Sequence, residues 1–289
     1  MNILVLTNEY PYEKYPRANW TKVVAYFANE WVKMGHRVIA IVNTSTFPMP
    51  YYAAAKIAMK LGQSKRLAGT GLSDTTWTQE FSFNDNGVEV FNLPMEKYSA
   101  GGKYSNKALK QQVERITKLL EANAFKPDVI TGHWLNPQLY LVGELKTYYG
   151  VKGTCVFHGD YSQERCEKFH ANELMKKVDH IGFRSASAVK MASKYLNFPF
   201  EPFVCCSGVP DEFIAHRANA KEKTFSENSY KVISAGRLVP YKCFGVTISA
   251  TAKAFKGMDY SFEIAGDGAE FETLETVISS EDANEKIKM

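Results

Sequence analysis

Short β-branched runs alternate with helical stretches along most of this chain, and that alternation constrains the fold more than any other feature. Residues 3–7 form a first apolar run, residues 20–34 carry apolar side chains at the 3.6-residue spacing of an amphipathic helix, and residues 37–42 form a second run. Strands separated by helices need crossover connections, which make the strands parallel and cover both faces of their sheet. The pattern predicts a doubly wound α/β fold.

The same alternation returns twice further along the chain. Predicted strands and helices of the first stretch cover residues 128–131, 137–149, 154–157, 163–178, 180–183, 186–196 and 203–206. Those of the second stretch cover residues 231–235, 244–255, 261–265 and 269–279, followed by a fraying tail at 281–289. Between the two, the sequence is polar and lacks an apolar period. We therefore predict a complete Rossmann-like domain at 1–208, a linker at 209–229 and a partial second Rossmann-like domain at 230–289.

Composition excludes several classes of protein. The 289 residues are 45% hydrophobic and 23% charged, as in an ordinary globular protein, and the net charge of +4 does not require a nucleic-acid partner. No apolar run approaches the roughly 18 residues of a membrane span, and no basic leader precedes the first strand. The five cysteines lack disulfide or zinc spacing, and the adjacent Cys205 and Cys206 are expected to be small apolar strand residues. We expect a cytoplasmic protein.

Polar residues follow two neighbouring strands of the first predicted domain. Gly132-His133-Trp134 follows one strand and His158-Gly159-Asp160 follows the next. A single histidine of this kind is usually structural, but two at neighbouring strand ends favour a shared polar site. A metal centre is disfavoured because the spacing matches no ligand motif. The first strand-to-helix turn, residues 8–20, has no glycine, which argues against a nicotinamide-dependent dehydrogenase.

Two turns of the second predicted domain could contact an anion. Gly236-Arg237 follows a strand, and Lys242 lies five residues later at the start of a helix. Two cations beside a helix N-terminus suit a diphosphate, although a solvated surface pair is the alternative. The turn Gly266-Asp267-Gly268 could line the same crevice, or its glycines could be needed for steric reasons alone.

Five short motifs, taken in order, resemble the family 4 retaining glycosyltransferases of the GT-B fold. The motifs are PDVITGHWLNP at 127–137, FHGD at 157–160, CSGVPD at 206–211, GRLVPYK at 236–242 and AGDG at 265–268. The resemblance implies two Rossmann-like domains, of which the first takes the acceptor and the second takes a nucleotide-diphosphate sugar. It also implies transfer with retention, without a metal or any cofactor besides the donor.

The resemblance also assigns roles to individual residues. It places Arg237 and Lys242 on the donor diphosphate, with Gly236 allowing close backbone approach, and His158 near the reacting carbon of the donor sugar. Further contacts to donor or acceptor are implied for Gly266, Gly268, Ala18, Asn19, His133 and Asp160. Residues 9–20 would form the acceptor-side loop.

Several positions depart from the family pattern. Ala18-Asn19 stands where a glycine pair is usual, and Thr131, Ser207 and Cys243 replace histidine, asparagine and glycine. The later nucleotide-binding segment, with two glutamates seven residues apart, has no counterpart before Met289. We therefore expect this chain to be a fragment or a truncated product that is inactive by itself.

A basic stretch predicts a second kind of contact. Residues 51–71 hold four cations and no acid, and Ala54, Ile57, Ala58 and Leu61 share one helical face. Such a helix can lie on an anionic membrane and present a lipid-linked acceptor. The alternative is that this apolar face packs on the first domain.

These observations predict a glycosyltransferase that acts on a saccharide or lipid-linked acceptor in surface polysaccharide or glycolipid biosynthesis, in the cytoplasm or at the inner face of the membrane. The alternative is a truncated, non-catalytic relative that binds a nucleotide sugar, an acceptor or a partner subunit. A nucleotide-sugar epimerase of related fold is disfavoured, because the GRLVPYK turn fits transferases better.

Overall fold

The structure is a computed structural model that describes residues 1–14, 21–62, 72, 76–99, 102–159, 161–209, 211–218 and 229–289, with only the backbone at 216–218. The described residues form two compact units, which divide after residue 214.

The first unit is built on an eight-stranded sheet. The strands of this unit, in chain order, are β1 (Asn2–Thr7), β2 (Arg37–Val42), β3 (Ser45–Thr46), β4 (Phe81–Asp85), β5 (Val88–Asn92), β6 (Met95–Glu96), β7 (Val129–His133), β8 (Lys152–Phe157), β9 (His180–Phe183) and β10 (Phe203–Val204). Of these, β3 and β6 form a separate two-stranded sheet. The order across the main sheet is β10-β9-β8-β7-β1-β2-β5-β4, and every neighbouring pair is parallel except β4 with β5. The predicted parallel α/β architecture is confirmed.

Helices connect these strands. They are α1 (Val23–Lys33), α2 (Met49–Lys60), α3 (Asn106–Ala122), α4 (Gln138–Tyr149), α5 (Gln163–Lys168), α6 (Ala171–Met175) and α7 (Ala186–Ala192). A further helix, α8 (Asp211–Ala218), follows β10 and spans the division after residue 214. Local sequence sets several of their ends. The Ser105 and Ser185 hydroxyls cap α3 and α7 by accepting backbone N–H groups, and α4 ends at Gly150, whose φ of 68° suits glycine.

Both faces of the main sheet are buried. Leu4 and Leu6 of β1 belong to the core on one face, whereas Ile3 and Val5 belong to the core on the other. This alternation is why each central strand is apolar throughout, as a doubly covered parallel sheet requires.

The chain reverses direction within the sheet next to β1. From β1 it proceeds to β2, then to β4 at the sheet edge and back to β5 beside β2, before it crosses to β7 on the other side of β1. Open α/β sheets bind ligands beyond the carboxyl ends of the strands at such a reversal. Asn8, which follows β1, and His133, which ends β7, lie at this point.

The second unit has three parallel strands, β11 (Ser229–Ala235), β12 (Asp259–Ala265) and β13 (Ile287–Lys288), and two helices, α9 (Phe244–Ala254) and α10 (Phe271–Ser280). The prediction of a fraying tail at 281–289 was wrong, because Ile287 pairs with Phe262 of β12 and is only 3% exposed. Ala283 and Ile287 are buried in the same apolar core, so packing against β12 and α10 orders this segment.

Three further predictions need correction. The helix predicted at 163–178 is two helices, α5 and α6, which separate where His170 adopts a left-handed φ of 55°. The strand predicted at 203–206 ends at Val204, and Cys206 is exposed beyond it. The predicted linker at 209–229 contains α8, which its polar composition did not indicate.

Candidate functional site

His133 and His158 meet at the carboxyl edge of the main sheet. His133 ends β7 and is in register with Val156 of β8, two residues before His158, so both side chains leave the sheet on the same side. Nδ1 of His133 lies 2.9 Å from Nε2 of His158, so one ring donates an N–H to the other. The structure thus brings together the two histidines that the sequence placed at neighbouring strand ends.

Aromatic rings hold the histidine pair. The Trp134 indole stacks on His158 with centroids 4.6 Å apart, and Phe27 of α1 stacks on His133 at 6.1 Å. Trp134 has a φ of 76°, a left-handed conformation that costs a residue with a side chain about 1–3 kcal/mol. Its backbone N–H donates to the carbonyl of Val156 at 2.9 Å, which keeps it in place. With this left-handed backbone conformation, the indole stacks on His158.

Both histidines are neutral near pH 7. Burial lowers the pKa of His133 well below its usual 6.5, and the nearby His158 and Arg184 lower it further. Burial, followed by the positive charge of Arg184, lowers the pKa of His158 to about 4. A neutral imidazole donates from one nitrogen and accepts at the other, so this pair suits hydrogen bonding to hydroxyl groups.

Arg184 is a site residue that our sequence analysis missed. It directly follows β9, as His158 directly follows β8, and the register of Phe157 with Phe183 makes Arg184 the neighbour of His158. Searching for polar residues after every predicted strand would have found it.

A chain of buried amides supports the first turn of the unit. Gln112 donates to Asn43 at 2.8 Å, Asn43 donates to Gln138 at 2.9 Å, and Gln138 donates to Asn8 at 2.8 Å. Arg115 completes the chain by donating to the Gln112 amide oxygen at 2.5 Å. Buried amides that are fully paired rigidify their surroundings. The chain therefore holds Asn8, where the proposed acceptor-side loop begins.

The two glycine turns of the second unit pack on each other. The N–H of Gly236 donates to the Ala265 carbonyl at 3.0 Å, and the N–H of Leu238 donates to the Asp267 carbonyl at 2.9 Å. A Cβ at Gly266 would lie 2.1 Å from the Gly236 carbonyl oxygen, and one at Gly268 would lie 2.3 Å from that of Leu238. Close backbone packing explains these two glycines.

Arg237 and Lys242 lie together on the exposed side of these turns. The Arg237 guanidinium donates to the Tyr241 hydroxyl at 2.9 Å, and the Lys242 ammonium lies 5.7 Å from the centre of the Tyr241 ring. Cys243, which stands where the resembled family has glycine, adopts a left-handed φ of 55° and precedes α9. In the part of the chain that the structure describes, neither cation forms an ion pair.

Three predicted site residues, Ala18, Asn19 and Asp160, lie outside the described residues. Across all the residues that the structure describes, no three histidine, cysteine or acidic side chains come close enough together to hold a metal ion.

Solved structures with the same architecture identify the fold. A glycosyltransferase from Rickettsia africae superposes with a TM-score of 0.58 at 14% identity, over 99% of this chain and 67% of its own. A UDP-forming α,α-trehalose-phosphate synthase from Burkholderia xenovorans, in complex with glucose-6-phosphate, gives 0.57 at 12% identity, over 97% of this chain and 69% of its own. Anabaena HepE in complex with UDP-glucose superposes with a TM-score of 0.54 at 11% identity, over 99% of this chain and 68% of its own. The chain has the GT-B fold.

Identities this low establish the fold alone. The sequence matches no protein-family model and no curated protein sequence. In GT-B terms, the histidine cluster belongs to the first Rossmann-like unit, and the cationic turn belongs to the second unit.

Proposed function

We propose that this GT-B protein is a family 4-type glycosyltransferase that transfers a sugar, with retention, from a nucleotide-diphosphate sugar to a saccharide or lipid-linked acceptor. Its role would be the synthesis of a surface polysaccharide or glycolipid. The observation that carries this proposal is the two exposed cations Arg237 and Lys242, which form no ion pair with any described residue and lie on a turn that packs against the neighbouring glycine turn. In two structures of the same fold the bound molecules are UDP-glucose and glucose-6-phosphate.

Charge development explains why cations belong at this turn. When the glycosidic bond to the leaving group breaks, negative charge accumulates on the nucleotide diphosphate. Preorganised donors aimed at that charge supply most of the rate enhancement in reactions of this kind. Arg237 offers a planar fork and Lys242 a point charge, which together can replace a divalent metal ion. We propose these two as catalytic residues, with the segment 230–289 on the donor side and 1–208 on the acceptor side.

His133 and His158 have the hydrogen-bonding groups that a contact with the donor sugar needs. A neutral His158, held by Trp134 and His133, can hydrogen-bond a donor-sugar hydroxyl close to the reacting carbon. We propose His133 and Asp160 as further substrate contacts, and Ala18-Asn19 as part of the acceptor-side loop.

Product analysis with the full-length protein tests this function. We expect transfer from a nucleotide sugar with the anomeric configuration retained, as judged by NMR of the product. His158→Ala should lower turnover at least about tenfold while the protein stays folded, because a positioned hydrogen-bonding group is lost. His180→Ala is the matched control, since His180 is exposed at the opposite end of β9. Inversion at the anomeric carbon, or normal turnover of His158→Ala, would contradict the assignment.

If the protein binds a nucleotide sugar but the product analysis detects no transfer, the result would instead support the non-catalytic alternative.

We also propose that α2 contacts an anionic membrane. Tyr52 and Ala55 pack against the first unit at 4% and 2% exposure, whereas Ile57 and Leu61 are 61% and 70% exposed. The alternative that the Ile57 face packs on the domain is therefore wrong. Lys56 and Lys60 are exposed beside this apolar face. No helix in the described part of the chain is long and apolar enough to cross a bilayer.

Vesicle flotation tests the membrane contact. The protein should float with phosphatidylglycerol-containing vesicles at low salt and should be released at high salt, because the attraction of the lysines is screened. Ile57→Asn with Leu61→Asn should abolish flotation, whereas Met191→Asn, at a residue 52% exposed on α7, should leave it unchanged. Failure of the unsubstituted protein to float would refute this contact.

A further inference from the structure

Arg184 lies at the carboxyl edge of the main sheet between two other strand ends. His158 is its neighbour on one side. On the other side is Cys205, whose backbone N–H donates to the Phe183 carbonyl at 2.7 Å. His133 is hydrogen-bonded to His158, so three strand ends in a row contribute nitrogen-rich side chains to one place.

The Arg184 guanidinium lacks a counter-charge in the described part of the chain. Its Nη1 is buried and has no hydrogen-bond partner, and no described acidic side chain forms an ion pair with it. Nε2 of His133 is likewise buried and has no hydrogen-bond partner among the described residues. An unpaired, partly buried charge is destabilising, because part of its hydration is lost and nothing replaces it. Such a group is stable in a folded protein when a ligand completes it.

An anion is the ligand that fits. Arginine presents five N–H donors in a fixed fork that matches the oxygens of a phosphate or a carboxylate. Because one N–H of the neutral histidine pair is used in the bond between the rings, one N–H remains for the anion. When His158 donates from Nε2 to Nδ1 of His133, the remaining donor is Nε2–H of His133, and it adds no charge. The diphosphate of the donor already has its proposed cations, Arg237 and Lys242, in the second unit. The first unit, which is the proposed acceptor side, therefore has a cation of its own.

We propose that Arg184 and the Nε2–H of His133, which His158 orients, bind an anionic group, a phosphate or carboxylate, carried by the acceptor. The word acceptor rests on the proposed function, whereas the anion subsite rests on the geometry of these three side chains. Arg184 is then a specificity-determining residue, which favours acidic over neutral acceptors.

Binding of inorganic phosphate tests the subsite without requiring transfer. We expect phosphate, and glucose-6-phosphate more strongly, to shift the imidazole NMR signals of His133 and His158 in the full chain. Arg184→Gln should weaken both affinities at least about tenfold, as expected for the loss of a charge-assisted pair, and Arg184→Lys should keep part of them. Lys190→Gln, which removes an exposed charge on α7, should bind as the unsubstituted protein does. The far-ultraviolet circular dichroism of each variant checks that it is folded.

Three results would overturn the proposal. The first is no shift of either histidine signal with phosphate or glucose-6-phosphate. The second is equal affinity of folded Arg184→Gln and the unsubstituted protein for both. The third is a parallel loss of UDP affinity in Arg184→Gln, which would assign the anion to the donor. Because these are binding measurements, they can succeed even if no transfer is detected, and the two proposals can therefore fail separately.

Discussion

Arg237→Ala and Lys242→Ala should each lower the turnover of the full-length protein about 30- to 1,000-fold, which corresponds to roughly 2–4 kcal/mol of transition-state stabilisation. The reason is that each removes a cation from the place where the leaving diphosphate gains charge. Both side chains are exposed and contact Tyr241, and neither contributes to the buried core of the second unit. Their loss should therefore leave the fold unchanged.

Steady-state kinetics separates this role from a general effect of charge. We expect kcat to fall while the KM for the acceptor changes little, because the acceptor does not contact this turn in the proposed arrangement. Lys256→Ala is the matched control, since it removes an exposed lysine just after α9. Near-normal turnover in both Arg237→Ala and Lys242→Ala would refute the diphosphate assignment.

Gly266→Ala should destabilise the second unit by roughly 1–3 kcal/mol, the usual cost of forcing an extra carbon into a packed site. The new Cβ would lie 2.1 Å from the Gly236 carbonyl oxygen, and the clash is with backbone, which cannot rotate away. Relief requires the turn at 236–238 to move, and that turn carries Arg237. Gly266→Ala should therefore also reduce diphosphate affinity.

Hydrogen exchange measured along the chain tests this prediction. Faster exchange should be confined to the second unit, because the first unit has a separate core. Gly245→Ala, a substitution within helix α9, is the control. The new Cβ would lie 3.7 Å from the Leu274 side chain of α10, which is an ordinary van der Waals distance. Gly236→Ala should also be tolerated, with its nearest contact 3.4 Å from the Phe244 ring. Normal protection in Gly266→Ala would show that the glycine is not needed for packing.

The predicted strand ends locate the histidines and the cationic turn from the sequence alone. His133, His158 and Arg237 each follow an apolar run, and parallel strands place such residues at one edge of their sheet. The same rule applied to residues 180–183 would have identified Arg184. The buried amides could not be found this way. Asn43 and Gln138 are 95 residues apart, and an uncharged amide carries no signal that it will be buried and paired.

The spacing of apolar residues predicts that a side chain is buried, but it does not predict what that side chain packs against. The continuous apolar runs of β1 and β2 determined a sheet covered on both faces, since only that arrangement removes every side chain of the run from water. The spacing of apolar residues did not predict which face of α2 packs against the first unit. Ile57 and Leu61 formed the more apolar stripe, yet Tyr52 and Ala55 are the residues that pack, because the connection from Phe47 fixes which side of the helix meets the domain.

The sequence by itself thus determined the parallel α/β class, the approximate positions of the main strands other than β4 and β5, and the strand ends from which the candidate site residues project. Each of these follows from local chemistry: apolar spacing, glycine at turns and charge after a strand. Only the tertiary structure decided the strand order with its reversal beside β1, the pairing of β13 with β12 and the convergence of Arg184 on the two histidines. These depend on contacts between residues far apart in the chain, whose energies come from mutual burial and cannot be assigned to either partner alone.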